Sequence, residues 1–294
     1  MNKIKEWIKK HMKTFHGSYI TIWGRPIRAE NVFLKSHHTS EDKVGIVIQG
    51  GIWTENNFTL ETVKLYKKHY PNACIILSTW KDTPECQLKP FVKLGIELVL
   101  NEKPTPIPGN ANLQIVSSYT GILRAKEMGC RYVCKSRTDQ RMYATDVIPY
   151  LIRAVQIFPI KRKCGATGRI VVLNSNTFRN RLYDISDMWC FGYTDDVLRY
   201  WSCSPDINWH ISLPSNNCIT ESYVCTEYLY NIGHNVLCTE EDSLFCYANY
   251  FIIVDSQSID LYFVKRNKEY FNKSYKEYEN EEFSFKDWLI MQED

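Results

Sequence analysis

Two hydrophobic rhythms alternate along the chain. Short unbroken apolar runs read as strands buried on both faces, and stretches with apolar residues at steps of three and four read as amphipathic helices. Lys43 to Gly51 (KVGIVIQGG) is the first convincing strand. It ends in Gln49-Gly50-Gly51, and a glycine pair there lets backbone approach a ligand closely. A helix is predicted from about Phe58 to His69, with Asn57 as its cap, Phe58, Thr62, Leu65, Tyr66 and His69 inward, and Pro71 beyond its end. Ala73 to Ser78 is a second strand, leading into Thr79-Trp80, and Glu97 to Leu100 is a third, ending in Asn101. A proline-rich loop over residues 104–110 precedes a helix from about Asn112 to Met128, closed by Gly129. Tyr132-Val133-Cys134 then reads as a strand. Strand, helix, strand, connection, strand, helix, strand predicts an α/β chain with a doubly wound, mostly parallel sheet.

The second half continues less regularly. Asp146 to Phe158 is amphipathic, with Val147, Ile148, Leu151, Ile152 and Val155 inward. Ile170 to Leu173 is a strand. Asp187 to Gly192 is an acidic-then-apolar segment that places Asp187 at a strand start. A short helix over Asp195 to Trp201 is capped by Thr194, and a Pro/Ser/Asn-rich loop over 202–219 is a candidate lid. Thr220 caps a helix reaching about Asn231. Phe251 to Val254 and Leu261 to Val264 are two closing strands, followed by a charged, aromatic tail packed as helix on the outside. The expected organisation is a basic arm over residues 1–40, one domain over 41–265 and a helical tail over 266–294. The domain divides at about residue 145.

Composition changes this picture little. The chain has 294 residues, and a net charge of +3 makes no general case for nucleic acid. Eleven cysteines, an odd number, show no C-x-x-C pair and no His/Cys set at zinc-ligand spacing. Cys74, Cys134, Cys190, Cys225 and Cys246 sit in apolar company and read as small core residues, which suits a reducing, cytoplasmic compartment. Residues 2–15 form a basic amphipathic stretch. Ile4, Trp7, Ile8, Met12 and Phe15 share one face and five lysines crowd the rest. Such a helix suits either an anionic membrane surface or a solvated cap on the domain. No apolar leader core follows it, and no run is long enough to span a bilayer.

The charge that matters is local. Lys135, Arg137 and Asp139 follow the Tyr132 strand at alternate positions and share one face if the strand continues that far. In open α/β sheets ligands bind outside the carboxyl ends of strands. A carboxylate flanked by two cations there suits an anionic, metal-bridged ligand such as a nucleotide diphosphate. A solvated ion cluster is the plainer alternative. Gln49, Gly50, Ser78, Thr79 and Asn101 offer hydrogen bonds at the neighbouring strand ends, though each alone reads as an ordinary turn residue.

Seven segments in order carry a resemblance: Val47-Ile48-Gln49-Gly50, Phe58-Thr59-Leu60-Glu61-Thr62, Leu77-Ser78-Thr79-Trp80, Asn110-x-Asn112-x-Gln114-Ile115, Lys135-x-Arg137-Thr138-Asp139, Ser186-Asp187-Met188-Trp189-x-Phe191-Gly192 and Glu221-x-Tyr223. Together they resemble the WavE family of lipopolysaccharide-synthesis glycosyltransferases. Gly51 departs from the family, which often has proline there, and so does Leu113, where a basic residue is expected.

The resemblance implies a GT-A-like fold, with a nucleotide-binding half over about 41–145 merging into an acceptor-binding half over about 146–265. It implies transfer from a nucleotide-sugar donor to a glycan or lipid-linked acceptor, while the basic residues 2–15 suggest peripheral contact at the inner face of a membrane. Three tasks follow. Gln49, Gly50, Ser78, Thr79, Asn101, Asn112, Gln114, Lys135 and Arg137 would hold the nucleotide. Asp139 would ligate Mn²⁺ or Mg²⁺ on the departing diphosphate, or Arg137 and Lys135 would contact the phosphates directly. In an inverting enzyme Glu221 would be the base, ionised at its helix N-terminus, with Asp187 holding the acceptor. Trp80, Trp189 and Tyr223 would stack on sugar or pack in the core. A nucleotidyltransferase would want a basic residue after the first strand, which Gln49 to Trp53 lacks. A non-catalytic glycan-binding protein is the third class.

Overall fold

The structure is a computed structural model. It describes residues 14–15, 18–19, 24–32, 42–162, 164–207, 219–265 and 282–292. Thr14–Phe15 (β1) and Ser18–Tyr19 (β2) form a small antiparallel ribbon. The amphipathic stretch therefore does not run as helix to residue 15, and its first part lies outside the described residues. So do most of the 202–219 loop and residues 266–281 of the tail.

Seven strands form the central sheet: β3 (Val44–Gln49), β4 (Cys74–Trp80), β5 (Glu97–Asn101), β6 (Tyr132–Arg137), β8 (Ile170–Leu173), β9 (Cys190–Tyr193) and β10 (Phe251–Val254). Their order is β10-β8-β9-β6-β3-β4-β5. Every pairing is parallel except those of β9, which runs against both β6 and β8. The fold is a GT-A-like α/β sheet, mixed but mostly parallel, flanked by helices. Its apolar runs are continuous because these strands are covered on both faces. All six residues of β3 are buried.

The helices are α1 (Phe58–His69), α2 (Glu85–Lys93), α3 (Ala111–Glu127), α4 (Val147–Ile157), α5 (Thr194–Tyr200), α6 (Thr220–Asn231), α7 (Glu240–Tyr250) and α8 (Phe285–Ile290). Helix α3 lies close against β3 and β4. A Cβ on its Gly121 would stand 2.5 Å from the Val47 side chain and 2.9 Å from Ser78, so only glycine allows this approach. That packing brings the start of α3 to the carboxyl edge of the sheet.

Several local expectations change. Asn57 precedes α1 in a left-handed conformation and makes no side-chain cap, which needs an extended backbone. Thr194 and Thr220 are the first residues of their helices rather than caps. The Thr194 hydroxyl donates to the Cys130 carbonyl at 2.7 Å. Helix α2 was not expected, because Pro90 interrupts it and only Phe91 is buried. Helix α7 hides a mixed face of Asp242, Ser243, Cys246, Tyr247 and Tyr250, which leaves no apolar period to read. Leu261–Phe263 (β11) does not close the main sheet. It pairs with Gln140–Met142 (β7) in a separate ribbon. Strand β9 begins at Cys190, so Asp187 lies in the preceding loop and not at a strand start. The cysteines among the described residues are free, and of the five expected in the core all but the half-buried Cys74 are buried. Among the described residues no helix is long and apolar enough to cross a membrane.

Candidate functional site

The carboxyl ends of β3, β4, β5 and β6 share one edge. Because β9 runs the other way, it is its amino end that lies there, with Cys190 opposite Lys135. The loop before β9 therefore delivers Asp187 to the end of β6. Helix α6 adds its first turn. A Cβ on Gly109, in the loop before α3, would stand 3.3 Å from the Thr220 hydroxyl. All seven segments that carried the resemblance end or begin at this edge.

Strand β6 does continue through Lys135 to Arg137, and Asp139 lies in the turn beyond it. The two cations differ sharply. Lys135 is completely buried. Its Nζ donates to the Asp187 carbonyl at 2.6 Å and lies 4.2 Å from the Trp201 ring centroid. Burial pulls its pKa down to about 8, against the pull of Asp187. Lys135 thus anchors the 187–189 loop from inside. Arg137 is partly exposed and gripped by Asp139, with Nε to Oδ1 at 2.9 Å and Nη2 to Oδ2 at 3.1 Å. Its Nη1 donates to Gln114 Oε1 at 3.2 Å. Gln114 in turn donates to the Asp187 carbonyl at 3.3 Å. Burial works against the Arg137 charge, yet Asp139, Asp187 and Glu221 together hold its pKa above the usual guanidinium value.

The carboxyl groups opposite are crowded. Burial, with Asp187 and Asp184 nearby, pushes Glu221 up to about 8. The helix N-terminus does not keep it ionised, as the sequence led one to expect, because the dipole is outweighed by desolvation and two like charges. Burial raises Asp184 to about 7 even though Arg181 lies 3.4 Å away. Burial raises Asp187 as well, with Lys135 and Arg137 opposing the shift. Asp184 was missed because nothing in its polar loop marks it.

The neutral strand ends are closed on themselves. Gln49 accepts from Ser117 at 2.7 Å. Asn101 donates to Ser78 Oγ and to the Thr79 carbonyl, both at 3.0 Å. Thr79 faces the Thr83 hydroxyl at 3.5 Å. Asn112 donates to the Thr105 carbonyl at 2.7 Å and accepts from the Ile107 and Leu113 amides, so it shapes the loop before α3. Gly50 has φ +110°, and its amide donates to the Ser78 carbonyl at 2.9 Å. The structure thus unites Gln114, Lys135, Arg137, Asp139, Asp187 and Glu221, with Gln49 and Gly50 alongside. Ser78, Thr79, Asn101 and Asn112 lie apart along the same edge. Trp80, Trp189 and Tyr223 are buried in the core, with Trp189 wholly inaccessible.

A cavity of about 240 Å³ opens beside the β7–β11 ribbon, lined by aromatic faces of Trp53, Phe58, Tyr143 and Tyr262 and by Arg25 and Arg141. It adjoins the charged cluster, since the amide of Val264 in its wall donates to the Asp139 carbonyl at 3.0 Å. Sequence reasoning did not find it, because its residues come from four distant segments.

The residues at β6 do not fit a ready Mn²⁺ or Mg²⁺ site. Both Asp139 oxygens are taken by Arg137. Asp139, Asp187 and Glu221 are also not among the described groups of three whose donor atoms lie within 4.8 Å of one another.

The family model for WavE lipopolysaccharide synthesis matches residues 44–221. The chain belongs to this family. The matched span begins with β3 and ends on Glu221, so it contains the whole cluster at the sheet edge. No curated protein matches the chain. Among solved structures, a glycosyltransferase involved in glycosylation of the major capsid of PBCV-1 is similar at 11% identity and TM-score 0.36, over 73% of this chain and 83% of that one. A 4-diphosphocytidyl-2C-methyl-D-erythritol synthase is similar at 10% identity and TM-score 0.35, over 63% and 84%. Likenesses this distant carry no argument about activity, and the fold rests on the sheet itself.

Proposed function

We propose that the chain is an inverting glycosyltransferase that moves a sugar from a nucleotide-sugar donor to a glycan acceptor in lipopolysaccharide-type assembly. Family membership supports the pathway. The single observation that supports the chemistry is the Arg137 guanidinium, oriented by Asp139 and Gln114 and close enough to Glu221 for that carboxyl to help raise its pKa. One group suits a leaving diphosphate and the other a hydroxyl proton.

In this reading residues 41–145 hold the nucleotide, with backbone at Gln49-Gly50 and the β4 and β5 ends shaping its bed. Residues 146–265 hold the acceptor. The acceptor oxygen attacks the anomeric carbon as the bond to the diphosphate breaks. The bonding pair leaves with the diphosphate, whose charge Arg137 stabilises, and the hydroxyl proton passes to Glu221. With a pKa of about 8 the carboxyl is mostly protonated at neutral pH, so the step draws on its ionised fraction, and turnover should rise as pH approaches 8. Asp187 positions the acceptor. The aromatic cavity beside Asp139 suits a sugar or base ring. Residues 2–15 would add contact with an anionic membrane face, an idea that fails if deletion of residues 1–16 leaves vesicle binding unchanged.

The test is turnover of nucleotide-sugar by Glu221→Gln. Loss of about 10²-fold or more with nucleotide binding retained supports the assignment. Near-normal turnover refutes it.

A further inference from the structure

A second cluster stands at the far end of α6 from Glu221. Helix α6 runs twelve residues, so the two ends lie about 18 Å apart. Just past Gly233, His234 meets Asp242 and Cys246, which are four apart and so on one face of α7. His234 Nε2 lies 2.9 Å from Asp242 Oδ1 and 3.2 Å from Cys246 Sγ. Among the described residues this is the group of three whose donor atoms converge within 4.8 Å.

The arrangement is not a proton relay. A Cys–His–Asp relay needs the thiol on one ring nitrogen and the carboxylate on the other. Here both approach the same nitrogen, and Nδ1 is instead 3.2 Å from the Tyr250 hydroxyl. One Nε2 offers a single in-plane hydrogen or lone pair, so as a hydrogen-bond network the trio has one partner too many. As a ligand set it has none to spare. The surroundings are those of a built site. Asp242 Oδ2 accepts from the Tyr183 hydroxyl at 2.6 Å and from the Leu237 amide at 3.0 Å, which leaves Oδ1 turned toward His234. The Tyr250 hydroxyl can accept from Nδ1–H and so fix the tautomer that leaves Nε2 free to coordinate. Asp242 and Cys246 are buried, and His234 reaches the surface, where a fourth position would be open to water.

We propose that His234 Nε2, Asp242 Oδ1 and Cys246 Sγ bind one zinc ion. Mixed nitrogen, oxygen and thiolate donors select a borderline-soft cation over Mg²⁺ or Ca²⁺. Tetrahedral zinc with bonds of about 2.0–2.3 Å places its donor atoms roughly 3.3–3.6 Å apart, so the two distances to His234 Nε2 need to open by only about 0.4 Å, and the third lies within 4.8 Å. On binding, the Cys246 sulfur exchanges its proton for the metal and the proton goes to solvent. The ion pins the turn after α6 to α7. Through the Tyr183–Asp242 bond it also steadies the loop that carries Asp184 and Asp187. This assignment is independent of the proposed transferase activity.

The experiment is metal titration of the whole chain, stripped by chelator, read by native mass spectrometry and by the spectrum of the Co²⁺ form. One equivalent of Zn²⁺, a rise in melting temperature and a thiolate-to-cobalt absorption band are expected. The band should vanish in Cys246→Ser and persist in Cys86→Ser, which alters an exposed cysteine elsewhere. Cobalt binding without a thiolate band overturns the proposal from the wild-type protein alone, should the Cys246 variant fail to fold. So does unchanged zinc binding in Cys246→Ser or His234→Gln, or no zinc bound at all.

Discussion

The carboxyl edge of the sheet has two halves that solve the same problem differently. At the ends of β3, β4 and β5 the polar side chains are neutral and satisfy one another. Gln49 has Ser117, and Asn101 has Ser78 and Thr79. At the end of β6 the side chains are charged and crowded. Lys135 is pulled down to about 8, while Asp184 and Glu221 are pushed up to about 7 and about 8. Buried polar groups must be paired, and the first half meets that rule within the protein. The second half bears unresolved electrostatic cost. Such strain is common where a ligand completes the arrangement. The first half therefore reads as scaffold and the second as chemistry.

Substitutions can break that contrast. The largest stability effect belongs to Lys135, which sits in the charged half but acts as scaffold. Lys135→Ala removes the shorter of the two donors to the Asp187 carbonyl, leaving only Gln114 at 3.3 Å, and empties the space over Trp201, and should cost about 3 kcal/mol in urea unfolding. Asn101→Ala, in the neutral half, takes one donor from the Thr79 carbonyl and one from Ser78 Oγ, which keeps the Thr120 hydroxyl at 3.3 Å. It should cost about 1–3 kcal/mol and leave nucleotide affinity nearly unchanged. A large affinity loss there would erase the division between the halves.

A third effect is pH-dependent. Burial raises the Glu221 pKa in the folded chain, so the folded state keeps a proton that the unfolded state has lost. Its contribution is therefore most favourable below the ordinary carboxyl range and declines as pH rises toward 8. Gln at this position carries no such cost. The melting temperature of Glu221→Gln relative to wild type should climb from about pH 5 to about pH 9. A difference that shrinks with pH would mean that Glu221 is ionised in the fold.

Much of this was legible in the sequence, for physical reasons. Strands buried on both faces must be apolar throughout, so β3, β4, β6, β8 and β10 announced themselves. The alternation of Lys135, Arg137 and Asp139 marked the end of β6. What stayed hidden depends on packing. Helix α7 buries polar and aromatic residues that belong to the His234 cluster, so its periodicity is not hydrophobic. The protonation of Glu221 depends on Asp184 and Asp187, which reach it only because β9 runs antiparallel. That Lys135 points inward to a carbonyl while Arg137 meets solvent is likewise a matter of tertiary depth. Two positions on one strand face gave no hint of it.

The central claim is that Arg137, held by Asp139 and Gln114, receives the diphosphate. The most direct measurement is the melting temperature of wild type and Arg137→Ala with UDP, GDP, CMP, dTDP and ADP, each with and without Mn²⁺. A ligand that binds only the folded chain must stabilise it. The account expects one nucleotide diphosphate to raise the melting temperature of wild type without Mn²⁺, and to lose that effect in Arg137→Ala. A shift that requires Mn²⁺ and survives in Arg137→Ala would contradict it and return the phosphate to a metal on Asp139.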